Sequence, residues 1–312
     1  MVIRDIEVFR AVMNAGSTSK AACLLGISQP AVSQAIRRLE SAAGFRLFER
    51  VRSRLVPTQE AMALMRDVDR YFIGFEVIEH RIRSLRSYGL GQMSIASLPA
   101  LGTGFLPRVI AAFDAASRDV QISLQVMSSR EVHEKVSAGQ MDFGLMADEM
   151  SMAGLEHSEF IRRPGVAVMK RHHPLAARPF VAVADLPAFP FIALNPEDSA
   201  RVRLETQLVA REIRLKPVVE TPYAHTLCSL ALAGVGVGIV HPIAALDFVE
   251  RGLVVKPVDV DVMFTDMLVF RPGTPLAENV RQFLRQMRMQ LVRDEKTLEA
   301  ALGATARGSR KS

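Results

Sequence analysis

Apolar residues recur along this chain in three successive rhythms, and each predicts a different kind of element. The first rhythm lies within Ser17–Glu40, STSKAACLLGISQPAVSQAIRRLE. Ala21, Ala22, Leu24 and Leu25 supply the small and apolar packing of a short helix. Gly26 marks a turn, because glycine tolerates the left-handed backbone that ends many helices, and Ile27 plugs that turn into a core. Val32, Ile36 and Leu39 then repeat at i, i+4 and i+7, which predicts a buried stripe along a second helix. Ser17 or Thr18 can cap the first helix and Ser28 the second, and Pro30 falls in a first turn where no N–H is missed. Pro30, Ser33, Gln34, Arg37 and Arg38 project away from the stripe, with Gln29 at the tip. This is the layout of a helix-turn-helix, placed at 18–37, whose second helix lies in the DNA major groove.

The second rhythm is a heptad. Between it and the first comes FRLFERVRSRLVPT, whose alternation predicts a two-stranded ribbon with Arg50, Arg52 and Arg54 on one side. Pro57–Thr58 is a stop followed by a cap, and Leu64, Val68, Tyr71, Phe75, Ile78, Ile82 and Leu85 follow at spacings of 4, 3, 4, 3, 4 and 3. That spacing predicts a linker helix over 59–88 that pairs with another helix, and after a DNA-binding domain the expected partner is a second copy.

The third rhythm runs from Gln92 to about Val292, where apolar runs alternate with amphipathic segments. Strands are predicted at 94–97, 122–127, 143–147, 166–169, 191–194, 237–240 and 267–270. Helices are predicted near 103–115, 130–138, 200–211, 226–233 and 276–292, and such alternation predicts parallel α/β sheets. AGVGVG precedes a strand and follows a helix, the reverse of a nucleotide fingerprint, so its glycines are read as permitting close packing. The fold class is therefore α+β, with two domains joined by a helix.

Charge sharpens the reading of the first domain. Between Arg37 and Arg54 stand six Arg against two Glu, a local +4 out of +6 for the whole chain. A basic hairpin beside a recognition helix reads as the wing of a winged helix-turn-helix, and its partners would be phosphates or minor-groove edges. Gln suits adenine, Ser several base edges, and Arg guanine or phosphate. The DNA-facing candidates are Ser28, Gln29, Pro30, Ser33, Gln34, Arg37, Arg38, Arg50, Arg52 and Arg54. The competing reading of any one of them is a solvated helix or hairpin face.

The second domain carries polar pairs at predicted strand-to-helix junctions: Ser97–Leu98–Pro99, Ser128–Ser129, Asp198–Ser199 and His225–Thr226. Helix N-termini suit a carboxylate, Asp198 could meet an ammonium and His225 either end, so an amino acid or its derivative would fit. Each of these residues taken alone is also an ordinary helix cap. An enzyme reading pairs Ser97 with His225, but no G-x-S-x-G elbow and no P-loop accompanies them. Cys23 and Cys228 lie far apart in apolar surroundings and predict buried thiols in a reducing cytoplasm. No metal-site spacing is present, His172 and His173 read as a surface turn, and neither a metal nor any cofactor is expected. A composition of 49% hydrophobic and 23% charged residues describes a soluble protein. The uncharged stretch Thr221–Leu246 is broken by glycines and by His241–Pro242, so no membrane partner is expected, and no signal peptide is visible.

The chain resembles the LysR-type transcriptional regulators. The resemblance rests on IEVFRAVMNAGSTSKAACLLGISQPAVSQAIRRLE, GFRLFER and the PT that starts the linker helix. It continues through SIASLPALGTGFLPRVIAAF, GLM, HPLA, AGVGVGIVHPIAALDF and RGLVVKPV. FERVRSRLVPT and the AGVGVGIVHPIAALDF block look most like the amino-acid-responsive branch, which includes LysR itself and regulators of opine use. The resemblance implies a winged helix-turn-helix at 1–58, a linker dimerisation helix at 59–88 and an effector domain at 91–296. It implies two α/β lobes with a cleft like that of periplasmic binding proteins, lobe I at 91–163 and 269–296 and lobe II at 164–268. The crossovers are placed near Arg163–Gly165 and Thr265–Leu268, and 297–312 is read as a disordered tail. Ser97 sits where the family commonly touches its effector. The implied function is sequence-specific regulation of transcription at a double-stranded operator, controlled by a small molecule. The implied assembly is a dimer of dimers that meets RNA polymerase. A solute-binding protein and a nucleoid-type binder without sequence preference are the rivals. The missing export signal and the basic first domain count against the former, and only the ratio of specific to non-specific affinity separates the latter.

Overall fold

The computed structural model describes residues 3–51, 54–69, 71–72 and 91–308, and of 50, 51, 54 and 304–308 it describes the backbone alone. The chain divides into two compact units, Met1–Ile82 and Arg83–Ser312. The first holds α1 (Ile3–Ala15), α2 (Thr18–Leu25), α3 (Gln29–Ala43) and an antiparallel ribbon of β1 (Phe48–Val51) and β2 (Arg54–Pro57). Helical backbone at 59–69 and 71–72 follows as α4.

Local chemistry sets these boundaries. Ser17 Oγ accepts from the Lys20 N–H and Ser28 Oγ from the Ala31 N–H, while Gly26 ends α2 at φ 64°. Val8, Phe9 and Val12 of α1 close a core with Ala21, Ala22, Val32, Ala35, Ile36 and Leu39. Glu40 Oε1 accepts from the Leu47 N–H at 2.8 Å and from the Phe48 N–H at 3.3 Å, so α3 fixes where the ribbon starts. Thr58 Oγ1 accepts from the Ala61 N–H and caps α4.

Three expectations change here. Leu24 is 72% exposed and Leu25 37%, because an eight-residue helix buries one face, which Ala21 and Ala22 already fill. Cys23 lies on the exposed side too, whereas Cys228 is buried as expected. In the heptad, Val68 is buried and Leu64 partly buried against the unit's own core, and Tyr71 is exposed. A heptad spacing demands an apolar partner but does not say which one. Phe75, Ile78, Ile82 and Leu85 lie outside the described residues.

The second unit contains two five-stranded sheets. The first is built from β3 (Gly91–Ser97), β4 (Val120–Val126), β5 (Phe143–Ala147), β6 (Glu156–Pro164) and β12 (Met263–Phe270), in the order β4-β3-β5-β12-β6. The second is built from β7 (Val166–Lys170), β8 (Phe191–Leu194), β9 (Pro217–Thr221), β10 (Val237–Val240) and β11 (Leu253–Pro257), in the order β11-β7-β10-β8-β9. The connecting helices are α5 (Pro99–Gly102), α6 (Phe105–Phe113), α7 (Ser129–Ser137), α8 (Ser199–Ala210), α9 (Ala224–Ala233) and α10 (Pro242–Val249), with α11 (Glu278–Gly308) at the end.

Both sheets are mixed, which corrects the expectation of parallel ones. β3, β4 and β5 run parallel, but β12 is antiparallel to β5 and β6. In the second sheet β7 is antiparallel to β10 and β11. The cause is the double crossing between lobes: the chain leaves the first sheet along β6, turns at Gly165, and returns along β12. That return begins at Met263, paired with Pro164, a few residues before the 265–268 placement. β6 escaped the sequence reading because EHSEFIRRP is mostly exposed and carries little apolar signal. α11 runs past 296 to Gly308, because Leu298 is buried and Leu302 packs on the same core. Gly238 is needed on β10, where a Cβ would meet the Leu227 side chain of α9 and the Ile192 carbonyl of β8.

Candidate functional site

Two surfaces bear on function, one in each unit. On the first unit, α3 turns Val32, Ala35, Ile36 and Leu39 inward, so Gln29, Pro30, Gln34, Arg37 and Arg38 face out with Ser28, and Ser33 is half-buried. The Gln29 amide donates to Thr18 Oγ1 at 3.3 Å and to Ser33 Oγ at 3.4 Å, holding the tip of α3 against α2. Arg38 behaves differently from its neighbour. Its guanidinium donates to Asp5 Oδ1 at 2.6 Å and 3.2 Å, and Asp5 is buried on α1. That hydrogen bond holds the Arg38 pKa above its usual value. Arg38 therefore pins α3 to α1, while Arg37 makes no ion pair among the described residues. Arg52 and the side chains of Arg50 and Arg54 lie outside the described residues.

On the second unit, residues just beyond the carboxyl ends of β3 and β5 meet residues just beyond those of β9 and β8, through Thr103–His225 and Asp148–Ser199, the place where open α/β sheets bind ligands. Ser97 is buried, and its hydroxyl donates to the Leu98 carbonyl at 3.0 Å. Leu98 is buried and Pro99 half-buried as α5 begins. Ser128 caps α7 in a capping box with Glu131, whose carboxyl is held below its usual range by the Ser128 hydrogen bonds. Ser129 Oγ accepts from the Ala147 N–H at 3.1 Å and secures the end of β5. Asp198 caps α8, accepting from Ala200 and Arg201 at 2.9 and 3.0 Å. Burial pushes the Asp198 carboxyl up, more than those two N–H groups pull it down. Ser199 donates to Asp148 Oδ1 at 3.2 Å, and Thr226 is exposed.

Four sets of polar contacts join the two lobes, and most of their members escaped the sequence reading. Asp148, just beyond β5, accepts from Ser199 and from Arg203 of α8 at 3.0 Å. His225 lies 2.9 Å from Thr103 Oγ1 and 3.0 Å from Asp247 Oδ2. Arg108 of α6 pairs with Asp247 of α10 and with Asp294 of α11. His241 Nε2 lies 2.7 Å from Asp266 Oδ2, both residues being buried. His241 Nδ1 accepts from the Ile243 N–H, so the proton sits on Nε2 and is donated to Asp266. Burial alone would raise the Asp247 carboxyl, but the His225 hydrogen bond and the Arg108 charge outweigh it and hold it low. Gly104 makes room, since a Cβ there would overlap the Asp247 carboxylate. The only sequence signal for these residues was charge beside a strand end, as in FGLMAD and VGIVHP. The Ser97–His225 pair weighed above does not form, because His225 is engaged by Thr103 and Asp247.

Comparison with known proteins decides the family. Residues 3–62 match the model described as the bacterial regulatory helix-turn-helix protein, lysR family, and residues 88–292 match the LysR substrate binding domain. The chain belongs to the LysR family. The transcriptional activator protein LysR of Escherichia coli is 35% identical over 97% of each chain. The octopine catabolism/uptake operon regulatory protein OccR of Rhizobium meliloti is 32% identical over 80% of this chain and 82% of its own. The regulatory protein NocR of Agrobacterium fabrum is 31% identical over 90% and 93%. Among solved structures, the LysR-family regulator CbnR in complex with target DNA matches with a TM-score of 0.69 at 21% identity, covering 93% of this chain and all of that one.

This LysR-family chain is thus a DNA-binding regulator with an effector-binding domain, and its family is one of regulators rather than enzymes. Among the described residues, no helix is long and apolar enough to cross a membrane, and no cluster of three His, Cys, Asp or Glu could hold a metal. Burial pushes the Cys228 thiol up to about 12, which leaves it unreactive at neutral pH.

Proposed function

We propose that this LysR-family member is a sequence-specific operator-binding regulator controlled by an amino acid or amino-acid derivative held between its two lobes. Base reading falls to Gln29, Pro30, Ser33, Gln34 and Arg37 on α3, with Ser28 at its cap, and the wing arginines hold phosphate. Linker helices pair two chains, effector domains pair dimers into a tetramer, and the assembly works in the cytoplasm on promoters engaged by RNA polymerase. Effector binding shifts the spacing of the DNA-binding domains, which requires that the ligand prefer one arrangement of the chain over another.

One observation carries the effector half of this reading. Ser199 and Arg203 from one lobe converge on Asp148 from the other at the strand ends, presenting a cation, an anion and a hydroxyl together. The Rhizobium relative's name ties it to octopine, an amino-acid derivative, which points the same way. The test is a thermal-shift screen of amino acids and opines on the full-length protein, because a ligand that binds the native state raises its melting temperature by mass action. At least one amino acid or opine is expected to raise Tm at millimolar concentration. Uniform indifference to the whole panel would remove the effector class and leave the DNA half standing.

A further inference from the structure

We infer that Asp148 and Arg203 are the paired anchors of an α-amino acid, Arg203 taking its carboxylate and Asp148 its ammonium, in place of the ion pair they now make with each other. The inference rests on the reading that an amino-acid-like effector binds between the lobes.

Asp148 and Arg203 come from opposite lobes, one beyond β5 and the other one turn into α8, and they meet at 3.0 Å. Their side chains are 28% and 35% exposed, so solvent and a small solute reach both. The pair is incompletely satisfied: Arg203 Nε is buried with no hydrogen-bond partner among the described residues, although Nη1 and Nη2 face Asp148 and Nη2 also donates to Ser199. Released from Asp148, the planar guanidinium can turn to offer a carboxylate two parallel N–H donors. Ser199 Oγ, which donates to Asp148, stands between the two charges and can serve either end of a ligand.

Charge matching selects the ligand class. An α-amino acid carries one charge of each sign on adjacent atoms, so its entry exchanges one protein ion pair for two protein–ligand pairs and leaves neither side chain unpaired. A simple carboxylate would strand Asp148 beside a second anion, and a simple amine would strand Arg203. Asp198 differs from Asp148 in facing no cation at hydrogen-bond distance among the described residues; its Oδ1 accepts the N–H groups of Ala200 and Arg201 as the cap of α8. A ligand seated between Asp148 and Arg203 bridges the lobes through itself, at a wider separation than the direct pair. That supplies the differential contact that a conformational response needs.

The experiment uses full-length protein and calorimetric titration with the standard L-amino acids, together with the matching decarboxylated amines and deaminated acids. Wild type is expected to prefer its best amino acid over both analogues. Arg203→Gln should weaken that amino acid by about tenfold or more, and should erase the preference over the amine while keeping that over the acid. Asp148→Asn should do the reverse. Arg203→Lys, which keeps the charge but loses the fork, should fall between, and unchanged circular dichroism in each variant excludes misfolding. If an amino acid binds and both variants keep wild-type affinity and selectivity, the anchors are elsewhere, although the effector reading survives. If no amino acid binds wild type, this inference fails, and the opines of the thermal-shift panel alone decide whether the effector reading falls with it.

Discussion

Arg37 and Arg38 are neighbours in sequence and differ in what they do. Sequence periodicity put both on the outer face of α3, and both are exposed there. What periodicity could not supply is Asp5, a buried carboxylate on α1, to which Arg38 is bound. A contact across 33 positions leaves no local trace in the chain. Arg38→Ala should therefore lower the melting temperature by removing the hydrogen bonds that tie α3 to Asp5 of α1, whereas Arg37→Ala should leave Tm unchanged and weaken DNA binding. Calorimetric scans and band-shift titrations of the two variants separate these outcomes, and equal behaviour of the pair would contradict the assignment. The caps, by contrast, were legible one by one. Ser17 and Ser28 accept the N–H groups expected of them, because capping depends only on a residue's own short reach.

At the scale of elements, strong short-range signals survived and weak ones did not. α3 was readable because Val32, Ile36 and Leu39 recur at helical spacing, and β10 because VGIV is apolar and buried throughout. β9 was not read, because PVVET opens on a proline and offers only two apolar residues, Val218 and Val219. The glycines of AGVGVG were legible as packing devices, and Gly238 sits where the Leu227 side chain of α9 and the Ile192 carbonyl of β8 leave no room for a Cβ. Gly238→Ala should cost about 1–3 kcal/mol by overpacking, since the Ile192 carbonyl opposite cannot move aside as a side chain can. Chemical denaturation measures this, and an unchanged midpoint would show that α9 and β8 yield. The linker seam is a second case. Its first members, Leu64 and Val68, serve the chain's own core, so the proposed pairing of two chains would fall to the later ones. Phe75→Asp should place an unpaired charge in that seam and reduce the sedimenting mass from dimer or tetramer toward monomer. Wild-type mass in that variant would take the seam out of the assembly.

For the whole molecule, two lobes built from one interrupted chain must be held together by residues that neither lobe's pattern reveals. Lobe organisation was legible through family resemblance, and the strand-end location of the candidate site followed from it. The bridging groups were not legible, because Arg108, Asp247 and Asp294 are charged residues on three separate helices. Their pairing also gives the molecule a pH dependence. The Asp247 carboxyl lies below its ordinary value of 3.8, so it stabilises the fold at neutral pH. That contribution is present above 3.8 and is lost as pH falls through the lower, folded-state value. Asp247→Asn should lower Tm at pH 7 and flatten its decline at acid pH, and an acid limb identical to wild type would show that Asp247 is not coupled to folding. The DNA-facing surface belongs to this scale as well, because a regulator must choose one site among very many. The most direct measurement is the ratio of affinities for a selected duplex and for random duplex at one fixed salt concentration, in wild type and in a Ser33→Ala, Gln34→Ala double variant. The α3 assignment predicts a wild-type ratio of about a thousandfold or more, falling sharply in the double variant while affinity for random duplex stays constant. A ratio near one in wild type, or one that the double substitution leaves untouched, would contradict it.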